Sequence, residues 1–133
     1  MWEAYGLKNE DFLWAGTVFR GGIAGQQQAP CGAVSASALA LGLHHRCSTA
    51  DKNKAEQARN AACEDAAELL KSFEDKFGAV SCIGLLGVDF KDDEAMKQAR
   101  ESGIFERKCQ KQVQFAIEKL YEIENKRARP AKI

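Results

Sequence analysis

The sequence predicts an all-α protein: a compact bundle of about four to five helices around a buried central helix of small residues, with no sheet. Apolar residues recur at helical spacing, no segment alternates apolar and polar residues over a strand's length, and capping residues or glycines stand at the expected helix ends. The 133 residues suit one domain with its own core. We expect this domain to span residues 1–125. A basic, solvated tail should follow at residues 126–133, containing Lys126, Arg127, Arg129 and Lys132.

The first two predicted helices flank a glycine-rich loop. Asn9 is typical of a helix N-cap, and Phe12 and Phe19 share one face after it. The loop covers residues 20–30 and ends in a proline suited to a first helical turn. The next helix, over residues 31–43, contains only apolar residues, glycine and serine, so we expect it to be buried on all sides.

A long helix is predicted over residues 51–77, with Gly78 as its C-cap. Ser81 fits the N-cap of a short helix that Gly87 closes. The long helix should pack through an apolar stripe of alanine, leucine and phenylalanine, which comprises Ala55, Ala58, Ala62, Ala66, Leu69, Leu70, Phe73 and Phe77.

Two helices should complete the domain. Asp92 or Asp93 begins a surface helix that Gly103 terminates. The last helix is expected over residues 105–124. Its predicted buried face consists of Cys109, Val113, Ala116, Ile117, Leu120 and Ile123.

Charge and hydropathy argue against nucleic-acid binding, membrane insertion and secretion. Nineteen basic side chains balance nineteen acidic ones, so no net field attracts nucleic acid or an anionic membrane. The longest apolar run, residues 33–43, is shorter than the roughly 18 residues of a membrane helix. Residues 1–5 lack the features of a signal peptide. We therefore expect a cytoplasmic protein with no nucleic-acid partner and no membrane insertion.

Three of the five cysteines are the best candidates for chemistry. An odd number does not suit a secreted disulfide framework, and in a reducing compartment cysteines indicate metal binding, redox chemistry or core packing. Cys31 and Cys82 lie at predicted helix N-termini, where free N–H groups and the helix dipole lower a thiol's pKa. Cys109 lies on an apolar helix face and can oppose either of them across the core. Each of the three can equally be a small core residue.

The remaining candidates are weaker. Cys63 lies at the edge of the long helix's stripe and is interpreted as structural. His44, His45 and Cys47 could supply metal ligands, although adjacent histidines at a helix end point in different directions. No two cysteines have the C-x-x-C spacing of a zinc ribbon or thioredoxin site. The glycines of residues 20–30 match neither a dinucleotide fingerprint nor a phosphate loop.

The run Cys-Gly-Ala-Val-Ser-Ala at residues 31–36 resembles the central motif of the C-GCAxxG-C-C family of putative redox-active proteins. Two further cysteines match that family in their local context: Cys82, shortly before a Leu-Leu-Gly turn, and Cys109. The resemblance extends from about Trp2 to Tyr121. It implies a small helical domain with redox-active thiols and no defined substrate. Because members occur near transporter genes, it also implies a redox or transporter-associated protein partner.

The sequence departs from the family pattern at two places. Ala36 stands where the family motif closes with glycine. The family's first cysteine has no counterpart, because it belongs on a helix ahead of Tyr5, where this sequence has only residues 1–4. A four-cysteine site is therefore incomplete within this sequence. The resemblance then implies an apolar surface that a partner chain covers, which suits a homodimer.

Three hypotheses follow. In the first, Cys31 or Cys82 is an attacking thiolate and Cys109 its resolving partner. In the second, Cys31, Cys82 and Cys109 are soft ligands for zinc, copper(I) or an iron–sulfur cluster. In the third, the protein is a non-catalytic helical dimerisation or accessory module, without a cofactor, whose cysteines only pack. A further hypothesis is an enzyme with a defined small-molecule substrate, but no sequence motif indicates which substrate.

Overall fold

The computed structural model describes residues 3–128 and confirms the all-α class, with no strand among these residues. A 3₁₀ turn, Thr17–Phe19, extends the first helix, and a wide π-type turn, Phe105–Cys109, leads into the last. An isolated antiparallel bridge joins Pro30 to Ser81. The six helices are α1 (Asp11–Gly16), α2 (Gly32–His44), α3 (Lys52–Phe77), α4 (Cys82–Leu86), α5 (Asp93–Glu101) and α6 (Gln110–Ala128).

The predicted helix ends are largely confirmed because they depend on local chemistry. The side chains of Asp51, Ser81 and Asp92 each accept a hydrogen bond from a backbone N–H in the first turn of the helix that follows. Gly78 and Gly87 adopt the left-handed conformation that ends α3 and α4. Three starts differ slightly. Glu10, rather than Asn9, is the N-cap of α1. The helix α2 begins at Gly32, with Cys31 as its N-cap, and α6 begins at Gln110, after the π-type turn.

The core lies where α2, α3 and α6 pack against one another. Phe73 of α3 is completely buried at its centre, and the rings of Phe77 and Phe115 pack against it and each other. Aromatic burial of this kind is a large apolar contribution to folding. The buried cluster draws on four helices and consists of Val34, Ala40, Leu41, Leu69, Phe73, Leu85, Leu120 and Ile123.

The predicted burial is wrong in part for three helices. The central helix α2 is not buried on all sides, since Ala36, Ala38 and Gly42 face outward. On α6, Val113 and Ile117 are 47% and 39% exposed, because the core contacts only part of a broad apolar arc. Leu70 of α3 is exposed for the same reason.

The C-terminal basic residues also differ from the prediction. Lys126 and Arg127 belong to the last turn of α6 rather than to a solvated tail. The Nη2 and Nε atoms of Arg127 donate to the carboxylate of Asp65 at 2.8–3.1 Å, and Lys126 pairs with Glu68 at 2.6 Å. These pairs tie the end of α6 to the middle of α3. The rest of the expected tail, including Arg129 and Lys132, lies outside the described residues.

Within residues 3–128, no helix combines the length and the apolarity that crossing a membrane would require.

Candidate functional site

The three candidate cysteines line one cavity of about 590 Å³. Its walls come from the segment that follows α1, from the starts of α2 and α6, and from α4, α5 and the π-type turn. The cavity therefore sits at the end of the bundle where several chain segments begin or turn. The sequence predicted Cys31, Cys82 and Cys109 as candidates, and the fold brings all three to this place.

A short backbone pairing sets Cys31 beside Cys82. The N–H of Cys31 donates to the carbonyl of Val80 at 2.7 Å, and the N–H of Cys82 donates to the carbonyl of Ala29 at 3.4 Å. Around the Pro30–Ser81 bridge, these two cysteines are therefore diagonal neighbours, whose side chains project to the same face. Each cysteine then enters a helix, Cys31 as the N-cap of α2 and Cys82 as the first residue of α4.

Two glycines make this close approach possible. Gly22 has a φ of +57°, and a Cβ atom there would lie 2.6 Å from the carbonyl oxygen of Ala29 and 3.1 Å from the Cβ of Cys82. At Gly32, a Cβ atom would lie 3.0 Å from the carbonyl oxygen of Phe19. The glycine that follows Cys31 thus lets the end of the 3₁₀ turn press against the start of α2.

The buried side chain of Gln27 lies beside the sulfur of Cys82. This glutamine is 4% exposed. Its Nε2 donates to the carbonyl of Val88 at 2.7 Å, and its Oε1 accepts from the N–H of Phe90 at 2.7 Å. These two bonds fix the orientation of the amide, so that Nε2 faces the sulfur of Cys82 at 3.9 Å.

Burial dominates the acidity of Cys82. Removal from water raises the pKa of its thiol, the Gln27 amide lowers it in part, and the nearby Cys31 thiol raises it again. The net direction is upward. The prediction that the helix N-terminus lowers this pKa is therefore wrong: α4 has only five residues, and its dipole does not offset burial.

Cys31 is half-buried and meets a different glutamine. Its thiol faces the Oε1 of Gln112 at 3.9 Å. Gln112 is 3% exposed and lines the cavity from the first turn of α6. An amide oxygen accepts a hydrogen from a thiol, whereas the amide N–H beside Cys82 donates to sulfur. The sulfur of Cys82 thus faces a hydrogen-bond donor, whereas the thiol of Cys31 faces an acceptor.

Cys109 approaches the same cavity from the π-type turn. The Nζ of Lys108 donates to the carbonyl of Leu85 at 3.1 Å and ties this turn to the end of α4. Burial raises the pKa of Cys109, and Cys31, Cys82 and Glu106 raise it further, whereas Lys108 opposes them. Cys109 lines the same cavity as Cys31 and Cys82.

The weaker candidates lie away from this group. Cys47 and Cys63 are exposed, so Cys63 does not fill the core. The Nε2 of His45 donates to Asp65 at 2.7 Å, and the Nδ1 of His44 lies 3.7 Å from a carboxylate oxygen of Glu124. Both histidines therefore have partners within the bundle.

Within residues 3–128, no three or more His, Cys, Asp or Glu side chains are grouped so that they could hold a metal ion.

Sequence reasoning missed Gln27 and Gln112. A run of three loop glutamines, Gln26 to Gln28, gives no sign that the middle one is buried. Gln112 was detectable in principle, because it shares helical spacing with Ala116, Leu120 and Ile123. A polar residue in register with a buried stripe indicates a site or a core hydrogen bond.

The sequence model of the family described as "Putative redox-active protein (C_GCAxxG_C_C)" matches residues 1–123. No curated protein and no solved structure matches the chain.

Proposed function

This chain belongs to the C-GCAxxG-C-C family of "putative redox-active" proteins, and from that premise we propose that it cycles between dithiol and disulfide states in the three-thiol cavity. The observation that carries the proposal is the pairing of residues 29–31 with residues 80–82, which sets Cys31 and Cys82 on one face. The family description supports a redox role in general terms. The assignment of individual thiols rests on geometry.

In the proposed cycle, Cys31 attacks and Cys82 resolves. Cys31 is the more accessible of the two, since Cys82 is only 7% exposed. The Cys31 thiolate attacks one sulfur of a substrate disulfide and releases the other as a thiolate. Cys82 then loses its proton to solvent and displaces the substrate from Cys31, which leaves a Cys31–Cys82 disulfide and a second released thiolate. Two protein thiols are oxidised, and one substrate disulfide is reduced.

Cys109 is the third thiol of the cavity. The sequence assigned it the resolving role, and because Cys109 lines the same cavity as Cys31 and Cys82, thiol mapping tests this role beside that of Cys82. The backbone pairing favours Cys82 as the resolving thiol. A reducing cytoplasm, which the cysteine content leads us to expect, would return the disulfide to its dithiol form.

Thiol mapping by mass spectrometry tests this proposal. The variant with Cys47→Ser and Cys63→Ser removes the two exposed thiols and keeps the three in the cavity. After equilibration with glutathione and its disulfide, we expect a Cys31–Cys82 link that mild reductant reverses. A Cys31–Cys109 link would transfer the resolving role to Cys109. Three free thiols under oxidising conditions would refute the redox proposal.

Metal binding by Cys31, Cys82 and Cys109 has less support, because the described side chains form no group suited to a metal ion. Elemental analysis of anaerobically purified protein distinguishes the two roles. A stoichiometric thiol-bound metal that protects all three cysteines from alkylation would replace the redox proposal.

A second candidate function is helical dimerisation. The observation that favours it is an exposed apolar stripe along α6, formed by Val113, Ile117 and Tyr121 at four-residue spacing. A second copy of the chain would cover this stripe with its own. Ile117→Lys should then dissociate a dimer in sedimentation velocity, while Cys82→Ala leaves the dimer intact. A monomeric wild-type protein would exclude this function.

A further inference from the structure

We infer that the cavity takes a low-molecular-weight disulfide with an apolar, aromatic body as its exchange substrate, rather than a disulfide on a protein surface. This inference rests on the proposed dithiol–disulfide cycle and names its substrate class. Three features of the cavity support it: its volume, the chemistry of its walls and the position of its sulfurs.

The volume suits a small molecule. Ligand sites commonly measure about 300–1,000 Å³, and this cavity measures about 590 Å³. Its three sulfurs lie in the walls, and none of them is fully exposed. A substrate disulfide that approaches the Cys31 sulfur through the cavity therefore contacts the cavity walls. A small disulfide enters freely, whereas a folded protein would have to insert a loop.

The walls favour an aromatic body. Three phenylalanines line the cavity, and the rings of Phe90 and Phe105 meet edge to face with centroids 6.1 Å apart. Phe19 and Met96 add further aromatic and polarizable surface. Ring edges and thioether sulfur both make favourable contacts with a bound aromatic ring.

The charge of the walls disfavours a cationic substrate. Among the described residues that line the cavity, Arg20 is the charged side chain and none is a carboxylate. The side-chain amide of Gln112, the hydroxyl of Thr17 and the sulfurs supply the other polar groups. A neutral aromatic disulfide therefore fits these walls better than an aliphatic disulfide that carries ammonium groups.

Exchange kinetics provide the test. In the Cys47→Ser/Cys63→Ser protein, we expect the rate of reaction with dithiodipyridine, a neutral aromatic disulfide, to saturate with concentration, because the disulfide binds before it reacts. Cystamine, an aliphatic dication, should react without saturation. Free glutathione, a thiol with no binding cavity, is the reference for the intrinsic reactivity of each reagent. The ratio of the dithiodipyridine rate to the cystamine rate should be at least about tenfold higher for the protein than for glutathione, which corresponds to 1.4 kcal/mol of binding.

A matched pair of variants tests whether the aromatic disulfide binds in this cavity. Val113→Trp places a large ring at the cavity wall on a half-exposed residue, so folding should survive. Ile117→Trp makes the same change one turn along α6, at a residue that does not line this cavity. We expect Val113→Trp to abolish saturation and Ile117→Trp to preserve it. Equal kinetics in the two variants would overturn the inference.

The outcomes separate this inference from the proposed cycle. If glutathione buffers form the Cys31–Cys82 link but dithiodipyridine reacts without saturation or preference, the cycle stands and the substrate class is wrong. If no link forms in any buffer, the cycle itself fails. Saturation that persists in the Val113→Trp variant would place the aromatic binding site elsewhere.

Discussion

At the scale of single residues, two buried glutamines distinguish the sulfurs of the cavity. The fixed amide of Gln27 donates toward Cys82, whereas Gln112 accepts from Cys31. A hydrogen-bond donor stabilises a thiolate. Cys82 therefore has support for the charge that it must carry when it resolves a mixed disulfide, even though burial raises its pKa.

Gln27→Glu tests this support with an almost isosteric change. A carboxylate cannot donate to Val88 or to Cys82, so we expect the pKa of Cys82 to rise further and its alkylation at fixed pH to slow. The lost buried bonds should also reduce the free energy of unfolding by about 2 kcal/mol. Site-resolved alkylation with urea unfolding measures both effects.

The control for this variant is Gln28→Glu, because Gln28 is the exposed neighbour in the same run. It should change the free energy of unfolding by less than about 0.5 kcal/mol and leave Cys82 alkylation unaltered. A Gln27→Glu protein that loses stability but alkylates at the wild-type rate would show that Gln27 only supports the fold.

Asp65 gives the clearest pH dependence. Burial raises its pKa, but the hydrogen bonds from Arg127 and His45 outweigh burial and lower the pKa below the ordinary value. A carboxyl whose pKa is lowered on folding stabilises the protein above its unfolded pKa of about 4, and this contribution is lost as the pH falls through the folded value.

Asp65→Asn should therefore cost about 2 kcal/mol at pH 7, since the charge-assisted bonds are lost. The difference in free energy of unfolding between this variant and wild type should shrink as the pH falls below about 4, because wild-type Asp65 then becomes protonated and loses its charge. Urea unfolding across pH 3–7 provides the measurement. Glu64→Gln, at an exposed partner of Arg127, should cost less than about 1 kcal/mol. A difference between Asp65→Asn and wild type that is independent of pH would contradict this account.

At the scale of secondary-structure elements, sequence patterns predicted the ends of helices better than their buried faces. Ser81, Gly78 and Gly87 act through bonds to their own neighbours, so a local pattern is enough to identify them. The buried face of a helix depends on what covers it. On α6 the core covers the ridge of Gln112 and Ala116 and leaves Val113 exposed, although both ridges are compatible with the sequence period.

The loop between α1 and α2 gives a prediction at this scale. Gly22→Ala combines a left-handed φ with a Cβ atom 2.6 Å from a carbonyl oxygen, and should cost about 3 kcal/mol. Because that atom also meets Cys82, the change should prevent the Cys31–Cys82 link. Thermal unfolding and thiol mapping measure the two effects.

Gly42→Ala is the matched control, because its Cβ atom meets open space on α2. It should stabilise the protein by up to about 1 kcal/mol through helix propensity, with the link unchanged. Equal stability for the two variants would show that the packing around Gly22 is looser than the structure indicates.

At the scale of the whole molecule, the meeting of three thiols was not predictable from spacing. Cys31, Cys82 and Cys109 lie far apart in the chain, and they were grouped by helix position and by the family resemblance rather than by a spacing motif. What joins the first two is the pairing around Pro30 and Ser81, two residues of otherwise irregular chain that carry no strand pattern. Tertiary contacts of this kind arise from how helices pack, and a single sequence does not encode them in a local signal.

A disulfide across this junction should change the stability of the whole chain. It closes a loop of about 50 residues, for which the chain-entropy model gives an upper limit of about 4 kcal/mol. We therefore expect the oxidised protein to unfold at a higher urea concentration than the reduced protein, by an amount equivalent to about 2–4 kcal/mol. The Cys31→Ser variant, treated with the same oxidant, should show no such shift. A shift of equal size in that variant would mean that oxidation acts through another pair of thiols. No shift in either protein would mean that strain in the closed disulfide offsets the entropy gain, and the proposed cycle would then lack a stable oxidised state.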